Sequence, residues 1–204
     1  MGQYYYPYIA HDGKVKIYNT REGLKLTEHS WWNAMTVGNI TNELFYKKGQ
    51  VCWVGDYYDE DNYAQVNCDE DEKDLVRSIG DLVWKKTKNY KEPSVENMRL
   101  LNGCLLVNHT KQQYINCDEY YEKSVKHEVW HNKTYGCCLH PIPLLTCSAN
   151  HSGGCYCGIN EELCGTWFDD TIEVVLEAYD EDRLIREGYT KLDIAFKEKE
   201  YEGE

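Results

Sequence analysis

The run Met98-Arg99-Leu100-Leu101-Asn102-Gly103-Cys104-Leu105-Leu106-Val107-Asn108-His109-Thr110-Lys111-Gln112-Gln113-Tyr114-Ile115 decides how this chain is read. Two apolar stretches, Met98 to Leu101 and Cys104 to Val107, flank Asn102-Gly103, a dipeptide that accepts positive φ and so closes a tight hairpin. A second turn at Asn108-His109-Thr110 leads into Gln112 to Ile115, which reads as a further strand. Neighbouring strands joined by such short turns make an antiparallel sheet.

Working outward, Gln3 to Ala10 alternates rings with small residues, and Lys14 to Asn19 repeats the alternation behind the turn Asp12-Gly13, so the two are expected to pair. Gln50 to Val54, Thr171 to Ala178 and Lys191 to Phe196 are further expected strands. One helix is expected from an N-cap at Ser30, with Val37, Ile40 and Leu44 on a single face, to Lys47-Lys48-Gly49. Gly38 weakens it slightly. A second is expected from about Asp69 to Lys86, where Leu75, Ile79, Leu82 and Val83 recur at helical spacing. Asn116 to Lys133 reads as a loop with one helical turn. The expected architecture is α+β: a mainly antiparallel sheet with about two helices packed on one face, a single domain over residues 1–196, and a solvated acidic tail over 197–204.

Composition narrows function. The formal charge of -13 removes the Lys and Arg excess that binding to a phosphate backbone requires, so direct nucleic-acid binding is not expected. No window of 18 apolar residues is present, and Met1 to Tyr6 lacks a signal-peptide pattern; a cytoplasmic protein is the expectation. In that compartment the ten cysteines are thiols or metal ligands, and the four Asn-x-Ser/Thr sequons are chance matches. Eighteen tyrosines and six tryptophans against three phenylalanines give rings with polar handles, suited to half-buried walls.

The candidate site residues are dispersed. Glu28-His29-Ser30-Trp31 stands before a helix, where free amides attract anions and a tryptophan can stack on a ring. Trp53-Val54-Gly55-Asp56 ends a strand on a carboxylate, the kind of position a rigid element presents to a ligand. Between Cys137 and Cys164 lie His140, Asn150, Gly153 and Gly154, with Cys147, Cys155 and Cys157 among the sulfur ligands that could join His140 on zinc. The cysteine spacing is not that of a structural zinc site, so zinc is allowed without being favoured. His127-Glu128-Val129-Trp130-His131 does match His-Glu-x-x-His, a pattern short enough to arise by chance.

Five blocks resemble an uncharacterised family of small proteins from bacteriophages and bacterial genomes: Met1 to Tyr5, Gly23 to Trp31, Trp53 to Tyr57, Leu106 to Lys111, and His140 to Thr146. The resemblance implies a cytosolic, phage-related accessory protein and no particular chemistry. It also implies a glycine-rich loop where this chain has Ala149 to Cys157, which lessens the weight of the sulfur atoms.

Two readings follow from the sequence. The first is a binding protein that captures a small ligand, such as a nucleotide signal, or a host defence protein, through Glu28, His29, Trp31, Asp56, Asn108, His140, Asn150, Gly153 and Gly154. The alternative is a hydrolase acting on a nucleotide or phosphoester, metal-dependent or using His29, Asp56 and His140.

Overall fold

A computed structural model describes residues 4–12, 14–20, 23, 25–55, 90–126, 139–148 and 163–194. The expected helix over Asp69 to Lys86, the His127 to His131 motif and the C-terminal tail lie outside these residues.

The elements, in chain order, are β1 (Tyr5–His11), β2 (Lys14–Tyr18), α1 (Leu26–His29), α2 (Met35–Leu44), β3 (Gly49–Gly55), β4 (Tyr90–Lys91), a 3-10 turn (Val95–Asn97), β5 (Cys104–Asn108), β6 (Gln113–Asn116), α3 (Cys117–Lys126), α4 (Pro141–Thr146), β7 (Thr171–Leu176), α5 (Glu177–Arg186) and β8 (Thr190–Lys191). The strands form one sheet in the order β4-β2-β1-β3-β7-β5-β6-β8. Among the described strands only the β2–β4 and β6–β8 pairs are parallel. The fold is α+β with a mainly antiparallel sheet.

Side-chain alternation divides the sheet into two faces. Ile9, Val51, Trp53, Leu106, Ile115, Ile172 and Val174 join the large core with Val37, Ile40 and Leu44 of α2, Tyr120 of α3 and Leu144 of α4. Leu105, Val107, Tyr114 and Val175 face the other way, against Leu184 of α5. The helices therefore divide between the faces: α2, α3 and α4 on one, α5 on the other.

Local chemistry explains where the elements depart from expectation. Asn102-Gly103 does turn, with Gly103 at φ 66 and the Cys104 amide bonded to the Leu101 carbonyl. It opens no hairpin, because Arg99 donates its amide to Gly38 of α2, and β5 pairs with β6 and β7 instead. Gly38 itself is a close approach: a Cβ there would lie 2.3 Å from Met98 Cγ. Ser30 is not the cap of α2, which starts after Ala34; Ser30 closes α1, and its hydroxyl donates to the Leu26 carbonyl. Cys117–Lys126 is a full helix where one turn was expected, since Asn116 Oδ1 accepts from the amides of Asp118 and Glu119 at 3.1 Å and Asp118 and Glu119 favour the first turn. The expected strand from Thr171 to Ala178 ends at Leu176, where α5 begins with Glu177 and Asp180 in its first turn and Arg183 and Arg186 in its last. Of the described residues in the expected strand Lys191 to Phe196, only Lys191 lies in a strand, the two-residue β8.

Candidate functional site

Two of the sequence blocks, through Ser30 and Trp31 and through Trp53, meet the block that holds α4. All six residues of α4 are buried, and strands and turns bond to it from several sides. The His140 amide donates to the Ser30 carbonyl at 2.7 Å, Trp31 bridges Leu139, and Trp53 bridges Cys147. Ser148 ties the end of β3, its amide to the Trp53 carbonyl at 2.9 Å and its hydroxyl accepting from the Gly55 amide at 3.1 Å. Gly55 and Ser148, the described residues nearest Asp56 and Asn150, are thus directly bonded.

The individual candidates are placed unevenly. His140 is 1% exposed; its Nδ1 accepts from the Ile142 amide at 3.2 Å, capping α4, and its Nε2 lies 3.4 Å from Thr41 Oγ1. Burial pushes its imidazole down to about 3, so it is a neutral core group and not an acid–base group for a solvent-borne substrate. Trp31 is also in the core, and Glu28 is exposed, its carboxylate accepting from the Lys25 amide at 3.0 Å in a capping box. His29 lies on α1. Cys147 is buried, with its thiol toward the Leu144 carbonyl at 3.4 Å. Asp56, Asn150, Gly153, Gly154, Cys155 and Cys157 lie outside the described residues. Among the described residues no group of three or more His, Cys, Asp or Glu is placed to hold a metal ion.

Asn108 leads to a cluster that the sequence did not announce. It is fully buried, donates to Asp170 Oδ2 at 2.8 Å, and accepts from the Lys111 amide at 2.9 Å. Lys111 Nζ stands 3.4 Å from the same Asp170 oxygen. The preceding residue, Asp169, turns toward the opposite face, where the Cys52 thiol donates to its Oδ1 at 3.7 Å and Cys52 lies across from Tyr8 in the register of β1 and β3. Asp169 sits at φ 61, a conformation a side chain rarely adopts, though Asp is among the residues that tolerate it best. Burial, reinforced by the charge of Asp170 and only partly offset by the thiol hydrogen bond, raises its carboxyl to about 7. The thiol of Cys52 is pushed up as well, chiefly by burial, and stays protonated.

Two adjacent carboxyls therefore differ in role. Asp170 is held by an amide and an ammonium, while Asp169 exchanges its proton near neutrality and can donate or accept a hydrogen bond. A left-handed backbone and a shifted carboxyl at one residue are signals that concentrate at functional sites. Neither is visible in the string Trp167-Phe168-Asp169-Asp170, because both depend on the surrounding fold. No protein-family model, curated protein or solved structure matches the chain.

Proposed function

We propose that the protein is a phage-related accessory protein that captures a small ligand, with nucleotides the first class to test. The observation that carries this reading is Asp169. A carboxyl that is part protonated at neutral pH presents donor and acceptor together, as the edge of a nucleobase or an amide requires. The sequestration of His140 weighs against the hydrolase built on His29, Asp56 and His140. That alternative now rests on Asp169 as the general acid, since a carboxyl near 7 is well matched to proton transfer at neutral pH.

Native mass spectrometry of the protein purified from bacterial cells, with thermal-shift titration of a nucleotide panel, tests the reading. A bound species or a rise in Tm is expected, about 2.7 kcal/mol of added stability at a hundredfold excess over Kd. Asp169→Asn should weaken binding by about tenfold, the effect of losing one charged hydrogen-bond partner. A clean native mass together with no thermal shift across the panel overturns the proposal. Release of inorganic phosphate, lost in Asp169→Asn, would favour the hydrolase instead.

A further inference from the structure

Away from Asp169, the turn between β5 and β6 carries a second constellation. His109 Nε2 lies 2.8 Å from Glu173 Oε2, and His109 Nδ1 lies 2.8 Å from the Tyr189 hydroxyl. An ionised carboxylate only accepts hydrogen bonds, so Nε2 carries the imidazole proton and the Nδ1 lone pair faces the phenol O–H. The sequence carboxylate, imidazole, hydroxyl is the arrangement that activates a weak nucleophile: the base is within reach of the hydroxyl and a third group fixes the base.

Three separate backbone ties hold the groups in place. The His109 amide donates to the Thr171 carbonyl at 2.8 Å, and Glu173 stands on β7 opposite Val107. Gly188, at φ 87, turns the chain out of α5, after which Tyr189 bonds back to the Leu184 carbonyl and Thr190 to the Gln112 carbonyl. The His109 and Tyr189 rings meet edge to face at 86°, and the His109 and Glu173 side chains remain 12% and 13% exposed, so the group is desolvated without being sealed. Burial, and after it the charge of Glu187, raises the Tyr189 phenol above its ordinary range. Phenolate is therefore scarce at neutral pH, and any attack by this oxygen needs a base in place to take its proton.

We propose that Tyr189 is a nucleophile toward activated carboxylic esters, with His109 as its general base and Glu173 as the positioning residue that fixes the imidazole. The Tyr189 oxygen bonds to the ester carbonyl carbon while its proton passes to His109 Nδ1. The bond from that carbon to the alcohol oxygen breaks, and the departing alcohol takes the proton from Nδ1. Water then attacks the aryl ester, gives a proton to Nδ1, and that proton returns to Tyr189 as the carboxylic acid leaves.

The test uses the intact chain, with p-nitrophenyl acetate as substrate and benzenesulfonyl fluoride as a tyrosine-directed probe. Peptide mass mapping should find acetyl or sulfonyl on Tyr189 at a rate about tenfold or more above two internal controls: Tyr179, which is 77% exposed, and Tyr46, whose hydroxyl donates to Asp180 without an imidazole. His109→Gln should slow Tyr189 by about a hundredfold, the scale of general-base assistance, and leave Tyr179 unchanged. Glu173→Gln should slow Tyr189 by an intermediate factor and shift the pH dependence of labelling. Labelling of Tyr189 no faster than Tyr179, or indifferent to His109→Gln, overturns the proposal. Should His109→Gln fail to fold, the wild-type pH profile decides: a rate that levels off well below the phenol range of about 10 supports base assistance, and one that climbs into that range refutes it.

Discussion

Around α4 the described residues are buried, and at the turn between β5 and β6 they are polar; His140 stands in the first region and His109 in the second. His140 caps a six-residue helix whose every side chain is buried, with Trp32 at a ring distance of 5.5 Å. His109 stands between a carboxylate and a phenol and keeps access to water. The same imidazole thus serves as packing in one place and as a proton-handling group in the other. What separates them is the company each keeps, Thr41 of α2 and the Ile142 amide for His140, Glu173 and Tyr189 for His109.

The largest effect that can break this comparison is expected at His140. His140→Ala removes a buried ring and the acceptor that caps α4, and should cost about 2–4 kcal/mol in urea denaturation. A loss under about 1 kcal/mol would mean that α4 is not the rigid centre it looks to be.

Next in size is the pH dependence. The folded state holds His140 near 3, below the imidazole's ordinary 6.5, so the unfolded chain binds the extra proton first as the solution is acidified. The stability is complete above about 6.5 and is lost as pH falls toward about 3, at about 1.4 kcal/mol per unit. Denaturation at pH 7, 5.5 and 4.5 should trace that loss, and His140→Gln should flatten it.

The smallest effect is of opposite sign. Asp169 is held near 7, above its unfolded value, so its contribution is complete below about 3.8 and is lost as pH rises toward about 7. Asp169→Asn keeps a residue that tolerates positive φ and should raise stability at pH 8 by about 1–2 kcal/mol, with the gain vanishing near pH 4. A variant less stable than the wild type at pH 8 would mark Asp169 as structural and sharpen the contrast with the turn that holds His109.

Much of the sheet was legible because its strands carry strong alternation and short turns. β1, β2, β3, β5 and β6 fall within a residue or two of where pattern placed them. Asn102-Gly103 misled because turn chemistry is local, whereas the commitment of Arg99 to Gly38 is not. α5 escaped notice because it rests a single fully buried apolar side chain, Leu184, on the sheet, and most of its other residues are charged. Its polar ends, Glu177 and Asp180 against Arg183 and Arg186, followed by Gly188, were the available cue. Asn108 stood among the candidates through its block, which also holds Lys111, but Asp170 lies 62 residues further along the chain and could not be read from spacing.

Both borders of the described sheet are two-residue strands running parallel to their neighbours, β4 beside β2 and β8 beside β6. Each border carries a lysine engaged by carboxylates, Lys91 with Glu43 and Lys191 with Glu119 and Glu181. A strand arriving from another molecule meets a template too short to hold it and a cation already spoken for. Short, charged borders of this kind are among the devices by which sheets discourage edge-to-edge pairing between copies.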